Sequence, residues 1–402
     1  MPTQLFLNKQ PILNANQELF AYHLSLEVIE GFNLSEQAWE PVMEEFCNRV
    51  EEHDGMAGLT AGKPTFYSAP LDVMQEKWLP KIEDIGKLNV EVGIEVLGNK
   101  PALEQLKAII QAGAKVTIIG YENTDAYKKL IPLAKFVKLA AKDYTVDELK
   151  TIVSALKMQK VAAVVTGIET EEEFANYAEV GAELFQGYFF TNPIISGDKE
   201  LSGNRLALLK LLAEVNDPEI EFDKVVQTVG SDVGLTHKLL SAINHPSNNI
   251  PQVIETLKDA VNFMGLKRLK FWVNMMMLSE IQDVPKELLS IALVRAKFME
   301  DLAVSQGKEA DKDRYFMVGM FSTLNAFLKA SMVDIVGQLP LSNEVKVALI
   351  DHSGEMGKAL FIIRSLEQGN SHILGGDIMQ ISNAFMSANS WARKTLVGLE
   401  AA

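Results

Sequence analysis

Between residues 65 and 190, short apolar and partly β-branched runs alternate with segments of helical periodicity; beyond residue 200 the strand signal stops. Strands separated by helices pair in parallel beneath a helical layer, which leaves few folds open. The candidate strands are residues 65–68, 89–96, 115–119, 136–139, 161–165 and 183–190, and the helical patterns between them include 101–112, 124–131, 145–158 and 171–180. A hairpin precedes them, with arms 3–9 and 18–24 turning at 14–16, and an amphipathic helix is expected over 36–49. This many units, opened by a hairpin, suit a closed α/β barrel. From residue 205 onward the periodic stretches are all helical: 205–214, 222–229, 235–243, 253–263, 267–281, 286–306, 314–330, 343–351, 355–368 and 377–397. Gly and Pro punctuate several of the joints, as helix stop signals do. The expected organisation is a barrel over residues 1–195, a linker with Gly and Ser over 196–204, and an all-α helical bundle over 205–402.

The charge balance removes one class of partner. The net charge is −15, and residues 1–200 hold 18 Lys and Arg against 30 Asp and Glu, leaving −3 for the rest. Neither half offers the basic field that nucleic acid requires. No uninterrupted apolar window of membrane-spanning length occurs, and the N-terminus lacks a charged-then-apolar leader, so a cytoplasmic protein without a membrane partner is expected. The single cysteine, Cys47, excludes an internal disulfide and a thiolate zinc site, and is expected on the buried face of a helix.

Residues 167–193 carry the most specific pattern. Gly167-Ile168-Glu169-Thr170 opens a helix with Glu171, Glu172 and Glu173 in its first turn, where the helix dipole favours negative charge. Gln186-Gly187-Tyr188 and then Phe190 and Pro193 close the unit. This order resembles the closing segment of EAL domains, the bacterial cyclic-di-GMP phosphodiesterase family, and implies a modified (β/α)8 TIM-like barrel. Residues 220–266 resemble an HDOD domain, an all-helical relative of the HD phosphohydrolases. That resemblance rests on Phe222-Asp223-Lys224-Val225-Val226, on the run from Asp232 to Leu240, on Ala242-Ile243-Asn244 and on residues 254–266. Val233 stands where that family usually has Pro.

The EAL resemblance implies two divalent metals held among carboxylates at the strand ends, since hard dications need several oxygen ligands. Most of the matching positions have lost that chemistry. The family's namesake Glu falls at His23, after Ala21-Tyr22; its phosphate-holding Arg falls at Glu27, and the Asn of the next strand at Tyr67. The Asp-Asp-Phe triplet falls at Ile119-Gly120-Tyr121, a further Asp at Ala140 and a Glu at Thr166. Four positions match: Glu95, Lys138, Glu169 and Gln186. They form the expected relict pocket, without metal or other cofactor, in which Lys138 pairs with a nearby Glu.

His23, His53, His237, His245, His352 and His372 are scattered, and structural or solvent roles are expected for all six. Met275, Met276 and Met277 are expected in the core, and the helix over 377–397 docked on the bundle. Two enzyme-like folds stripped of their metals imply a catalytically inactive signal-transduction adaptor acting through protein partners. The alternatives are a cyclic-di-GMP receptor that binds weakly without hydrolysis, and a phosphodiesterase with altered metal ligands.

Overall fold

A computed structural model describes residues 5–28, 44, 47–48, 50–52, 54–68, 84–195, 201–217, 219–230, 232–246, 250–369 and 378–400. The helix expected over 36–49 lies largely outside the described residues, as do His53, His372 and residues 196–200 of the expected linker. The chain divides into two compact units, Met1–Asn192 with Arg364–Met386, and Pro193–Ile363 with Ser387–Ala402. Residues 364–369 and 378–386, placed with the helical domain on sequence grounds, group with the barrel.

The first unit is a closed barrel of eight strands in chain order. They are β1 (Leu5–Asn14), β2 (Leu19–Val28), β3 (Thr65–Ser68), β4 (Leu88–Val92), β5 (Lys115–Ile118), β6 (Phe136–Ala140), β7 (Ala162–Thr166) and β8 (Leu184–Gln186). β1 runs antiparallel to both β2 and β8, and the remaining neighbours are parallel. Asn14 turns the opening hairpin, its Oδ1 accepting from the backbone N–H of Asn16 and of Glu18, both at 2.9 Å. Such side-chain to backbone bonding is what makes Asn a turn former.

Helices return the chain between parallel strands, and their starts are capped from the sequence. Asn99 Oδ1 accepts from Ala102 N at 3.1 Å ahead of the helix Lys100–Gln111. Thr145 with Glu148, and Thr170 with Glu173, form reciprocal capping boxes before Val146–Met158 and Glu171–Ala178. The interior end of the barrel is apolar: Ile12, Ala21, Phe66, Phe136, Ala162, Val164 and Leu184 form one buried cluster. Because side chains alternate along a strand, this cluster fixes which residues face inward higher up.

From residue 205 onward each expected helix is present, with two differences. The stretch expected as one helix over 314–330 is broken into Lys312–Phe321 and Leu324–Leu328, and Met332–Gln338 is an additional helix. Met275, Met276 and Met277 are core residues of the helix Leu266–Ser279, at most 4% exposed. Trp391, on the final helix Ile378–Glu400, packs against Phe271 and Phe316 with ring centroids 5.8 and 6.0 Å away. Among the described residues no single helix is long and apolar enough to cross a membrane.

Candidate functional site

Above the apolar cluster the barrel interior becomes polar. Alternation from Ala21, Phe136, Leu184 and Ile12 turns His23, Lys138, Gln186 and Gln10 inward. Glu91 pairs with Thr117, and Thr117 with the interior Phe136, so Glu91 shares that face. Lys138 Nζ is in salt-bridge contact with Glu91 Oε1, and His23 Nε2 lies 3.2 Å from Glu91 Oε2. Gln186 Nε2 donates to Gln10 Oε1 at 2.6 Å and lies 3.1 Å from His23 Nδ1. All of Glu91, Lys138 and Gln186 are buried.

The charges in this pocket cancel. Burial opposes ionisation of Glu91, but His23 and Lys138 outweigh it and bring its carboxyl down to about 2. Burial pushes the Lys138 ammonium down from its ordinary value, and the Glu91 carboxylate pulls against that change. Direct contact keeps the pair ionised, since a buried charge is tolerated when it is paired. The Phe66 ring, 5.7 Å from Nζ, gives a further weak attraction.

Of the four residues expected in the pocket, the structure brings together Lys138 and Gln186. Glu95 is exposed, on a short 3₁₀ turn (Ile94–Gly98) beyond β4. Glu169 is exposed in the loop after β7, where its N–H donates to Glu173 Oε2 and its carbonyl accepts from Asn192 Nδ2, both at 2.8 Å. The carboxylate in the pocket is Glu91, four residues before Glu95. Its signal was a lone charge in the strand Leu-Asn-Val-Glu-Val, matching the lone Lys138 in Phe-Val-Lys-Leu-Ala. Likewise Tyr67 alternates with the interior Phe66 and so turns outward, leaving Ser68 as the inward residue of β3.

The family positions at Ile119-Gly120-Tyr121, Ala140 and Thr166 carry no charge. Ile119-Gly120-Tyr121 leads into an aromatic cluster, with Tyr121 and Tyr127 edge to face at 5.5 Å and the Tyr144 hydroxyl donating to the Tyr121 carbonyl. Ala140 and Thr166 sit side by side on β6 and β7, level with Gln186 on β8. Among the described residues no three His, Cys, Asp or Glu side chains converge as a metal ligand set. Among the described residues the donor set therefore does not fit two divalent ions: the interior carboxylate of Glu91 faces a lysine ammonium and an imidazole.

Gln186-Gly187-Tyr188 has a structural logic of its own. At Gly187 φ is +147°, and a Cβ there would lie 2.1 Å from the Ile168 carbonyl oxygen. Only glycine allows that approach. The Tyr188 hydroxyl donates to the Lys9 carbonyl at 2.7 Å and so ties the end of β8 to β1.

Comparison with known proteins locates the second unit. Residues 206–338 match the HDOD domain family model. Together with the closed barrel before it, this gives an eight-stranded α/β barrel followed by an HDOD region. The chain is 26% identical over 404 residues to the Cyclic di-GMP phosphodiesterase CdgJ of Vibrio cholerae, covering 96% of this chain and 92% of that protein. It is also 26% identical over 377 residues to the uncharacterized protein YuxH of Bacillus subtilis, covering 91% of each. Among solved structures, the calcium and cyclic-di-GMP complex of Klebsiella pneumoniae BlrP1 aligns with a TM-score of 0.38 at 17% identity, over 47% of this chain and 55% of that one. An EAL domain protein from Listeria monocytogenes aligns with a TM-score of 0.36 at 15% identity, over 46% of this chain and 87% of that one.

Proposed function

We propose that this chain is a signalling adaptor of the cyclic-di-GMP system, with a barrel that does not hydrolyse the nucleotide and that acts through protein partners. One observation carries this reading. The interior carboxylate Glu91 is occupied by Lys138 and His23, while Ile119, Gly120, Ala140 and Thr166 stand at the positions where the family resemblance implies carboxylates. Attack of water on a phosphodiester by the family's route needs two dications to lower the water's pKa and to neutralise the developing charge. A lone carboxylate already neutralised by an ammonium has little attraction left for either. The −12 net charge of residues 1–200 further disfavours a doubly anionic ligand.

The name of the Vibrio cholerae relative favours a second reading, in which this barrel is also a phosphodiesterase with a changed ligand set. A turnover assay separates them: full-length protein, cyclic-di-GMP and excess Mg²⁺ or Mn²⁺, with the linear dinucleotide followed by chromatography. The adaptor reading expects no product above a no-protein control. Product formation that Glu91→Gln abolishes would overturn it. Calorimetric titration with cyclic-di-GMP under the same conditions separates a non-hydrolysing receptor, which gives saturable heat without product, from an adaptor that gives neither.

A further inference from the structure

A series of side-chain amides joins the barrel interior to the backbone at residue 367, within the first unit. Gln10 Nε2 donates to the Glu367 carbonyl at 3.0 Å. Gln186 Nε2 donates to Gln10 Oε1 at 2.6 Å, and the same nitrogen lies 3.1 Å from His23 Nδ1. His23 Nε2 lies 3.2 Å from Glu91 Oε2. Glu367 is 3% exposed, and residues 364–369 and 378–386 group with the barrel unit.

The direction of every bond follows from its last member, because a backbone carbonyl can only accept. Gln10 must present its NH₂ to Glu367 and its Oε1 to Gln186. Gln186 must answer with its own NH₂, whose second hydrogen points to His23 Nδ1. That nitrogen therefore accepts, and the His23 proton resides on Nε2, facing the Glu91 carboxylate. A doubly protonated His23 would set N–H against N–H at Nδ1. Gln186 relieves this by turning its Oε1, which has no hydrogen-bond partner among the described residues, toward the imidazolium. Oxygen then faces oxygen at Gln10; if Gln10 turns as well, its carbonyl faces that of Glu367 instead.

We propose that docking of residues 364–367 on the barrel and protonation of His23 oppose one another, which makes this segment a latch loosened as pH falls. The proposal stands whether or not the barrel hydrolyses a nucleotide. Among the described residues, the charged groups shown beside His23 are Glu91 from β4, which favours the imidazolium, and Lys138 from β6, which opposes it. Arg364 and Glu367 come with the docking segment, and β8 presents only the Gln186 amide. Lys9 on β1 is engaged elsewhere, with Nζ 4.0 Å from the centre of the Tyr22 ring. Neither Glu91 nor Lys138 leaves when the latch opens, so the amide series couples the two events, together with whatever field the departing Arg364 and Glu367 exert. Coupling of this kind is reciprocal: whatever factor protonation costs docking, docking costs protonation.

The test uses the full-length chain with ¹⁵N-labelled histidine and hydrogen–deuterium exchange, at about pH 8 and about pH 5.5, on either side of the ordinary imidazole range. Wild type is expected to show the Nε2–H tautomer at His23 near neutral pH. In Gln10→Leu its titration midpoint should rise by about one pH unit, the equivalent of a roughly tenfold coupling. Exchange in residues 364–369, corrected for its intrinsic pH dependence, should quicken roughly tenfold at the lower pH in wild type. It should be fast at both pH values in Gln10→Leu and lose its pH response in His23→Gln, while the β6 strand stays protected in all three. An Nδ1–H tautomer in wild type overturns the proposal, and that result needs no variant to fold. Equal midpoints in wild type and Gln10→Leu, or exchange in 364–369 that Gln10→Leu leaves unchanged, overturn it as well.

Discussion

Lys138 Nζ rests on Glu91 Oε1 inside the barrel, with both side chains less than a tenth exposed. The two charges are carried in by different strands, β6 and β4, and neither has bulk water to fall back on. Removing one partner of such a pair strands the other. Lys138→Leu is expected to lower stability by about 3–5 kcal/mol, while the double variant Glu91→Leu with Lys138→Leu recovers most of that loss. Urea unfolding of the single and double variants measures the difference. A single variant within about 1 kcal/mol of wild type would show that the pair is solvated and contributes little.

The same pair sets an acid limit on stability. The Glu91 carboxyl is lowered from 4.5 to about 2, so its folded-state pKa lies below its unfolded value. Its contribution is therefore complete above about pH 5 and is lost as pH falls through the folded value near 2. On the order of 3 kcal/mol should disappear over that interval. Denaturation midpoints between about pH 6 and pH 2 should fall more steeply in wild type than in Glu91→Gln, which has no carboxyl to titrate. Parallel profiles in the two proteins would count against a lowered pKa at this site.

These two residues also show what was legible in the chain and what was not. Lys138 and Gln186 lie on the barrel interior, each in a short strand whose limits the flanking helices fix. Glu91 was passed over for Glu95, which lies in the same apolar run. In a barrel both faces of a strand are buried, one by the interior and one by helices, so hydropathy does not alternate and cannot say which residue points inward. That run holds two charges, Glu91 and Glu95, and they are told apart by the end of β4 at Val92. His23 was read as a lost carboxylate with a structural or solvent role, and its position is interior. Gln10 gave no signal, because its partner Glu367 lies 357 residues away and hydropathy does not report contacts at that separation. The barrel and the bundle were legible for a simpler reason: strand and helix periodicity stay distinct along the chain, and the change at residue 200 is abrupt.

Gly187 offers a test of how tightly the barrel closes. Its φ of +147° and the 2.1 Å approach of a built Cβ to the Ile168 carbonyl mean that alanine must displace backbone, not a flexible side-chain tip. Gly187→Ala is expected to cost more than about 2 kcal/mol, with the loss centred on β8 and its neighbours β1 and β7. Exchange should rise in those strands first. A stability change below about 0.5 kcal/mol would show that the turn after β8 relaxes without strain.

In the helical unit the corresponding contact is at Gly319, where the helix Lys312–Phe321 crosses Glu287–Ser305. A Cβ on Gly319 would lie 2.5 Å from the Arg295 carbonyl oxygen and 2.6 Å from Ala296 Cα. Two effects of opposite sign meet here. Alanine gains about 1 kcal/mol over glycine in helix propensity, whereas forcing two packed helices apart costs about 1–3 kcal/mol. The obstructing atoms are backbone, and separating the helices would also strain the bond from Arg295 Nη1 to Ser322 Oγ, now 3.2 Å. The clash should therefore win, and Gly319→Ala should destabilise the helical unit. Exchange across residues 287–321 should quicken while β6 and β7 of the barrel stay protected. A net gain in stability would mean that the helices separate freely and that propensity alone decides this position.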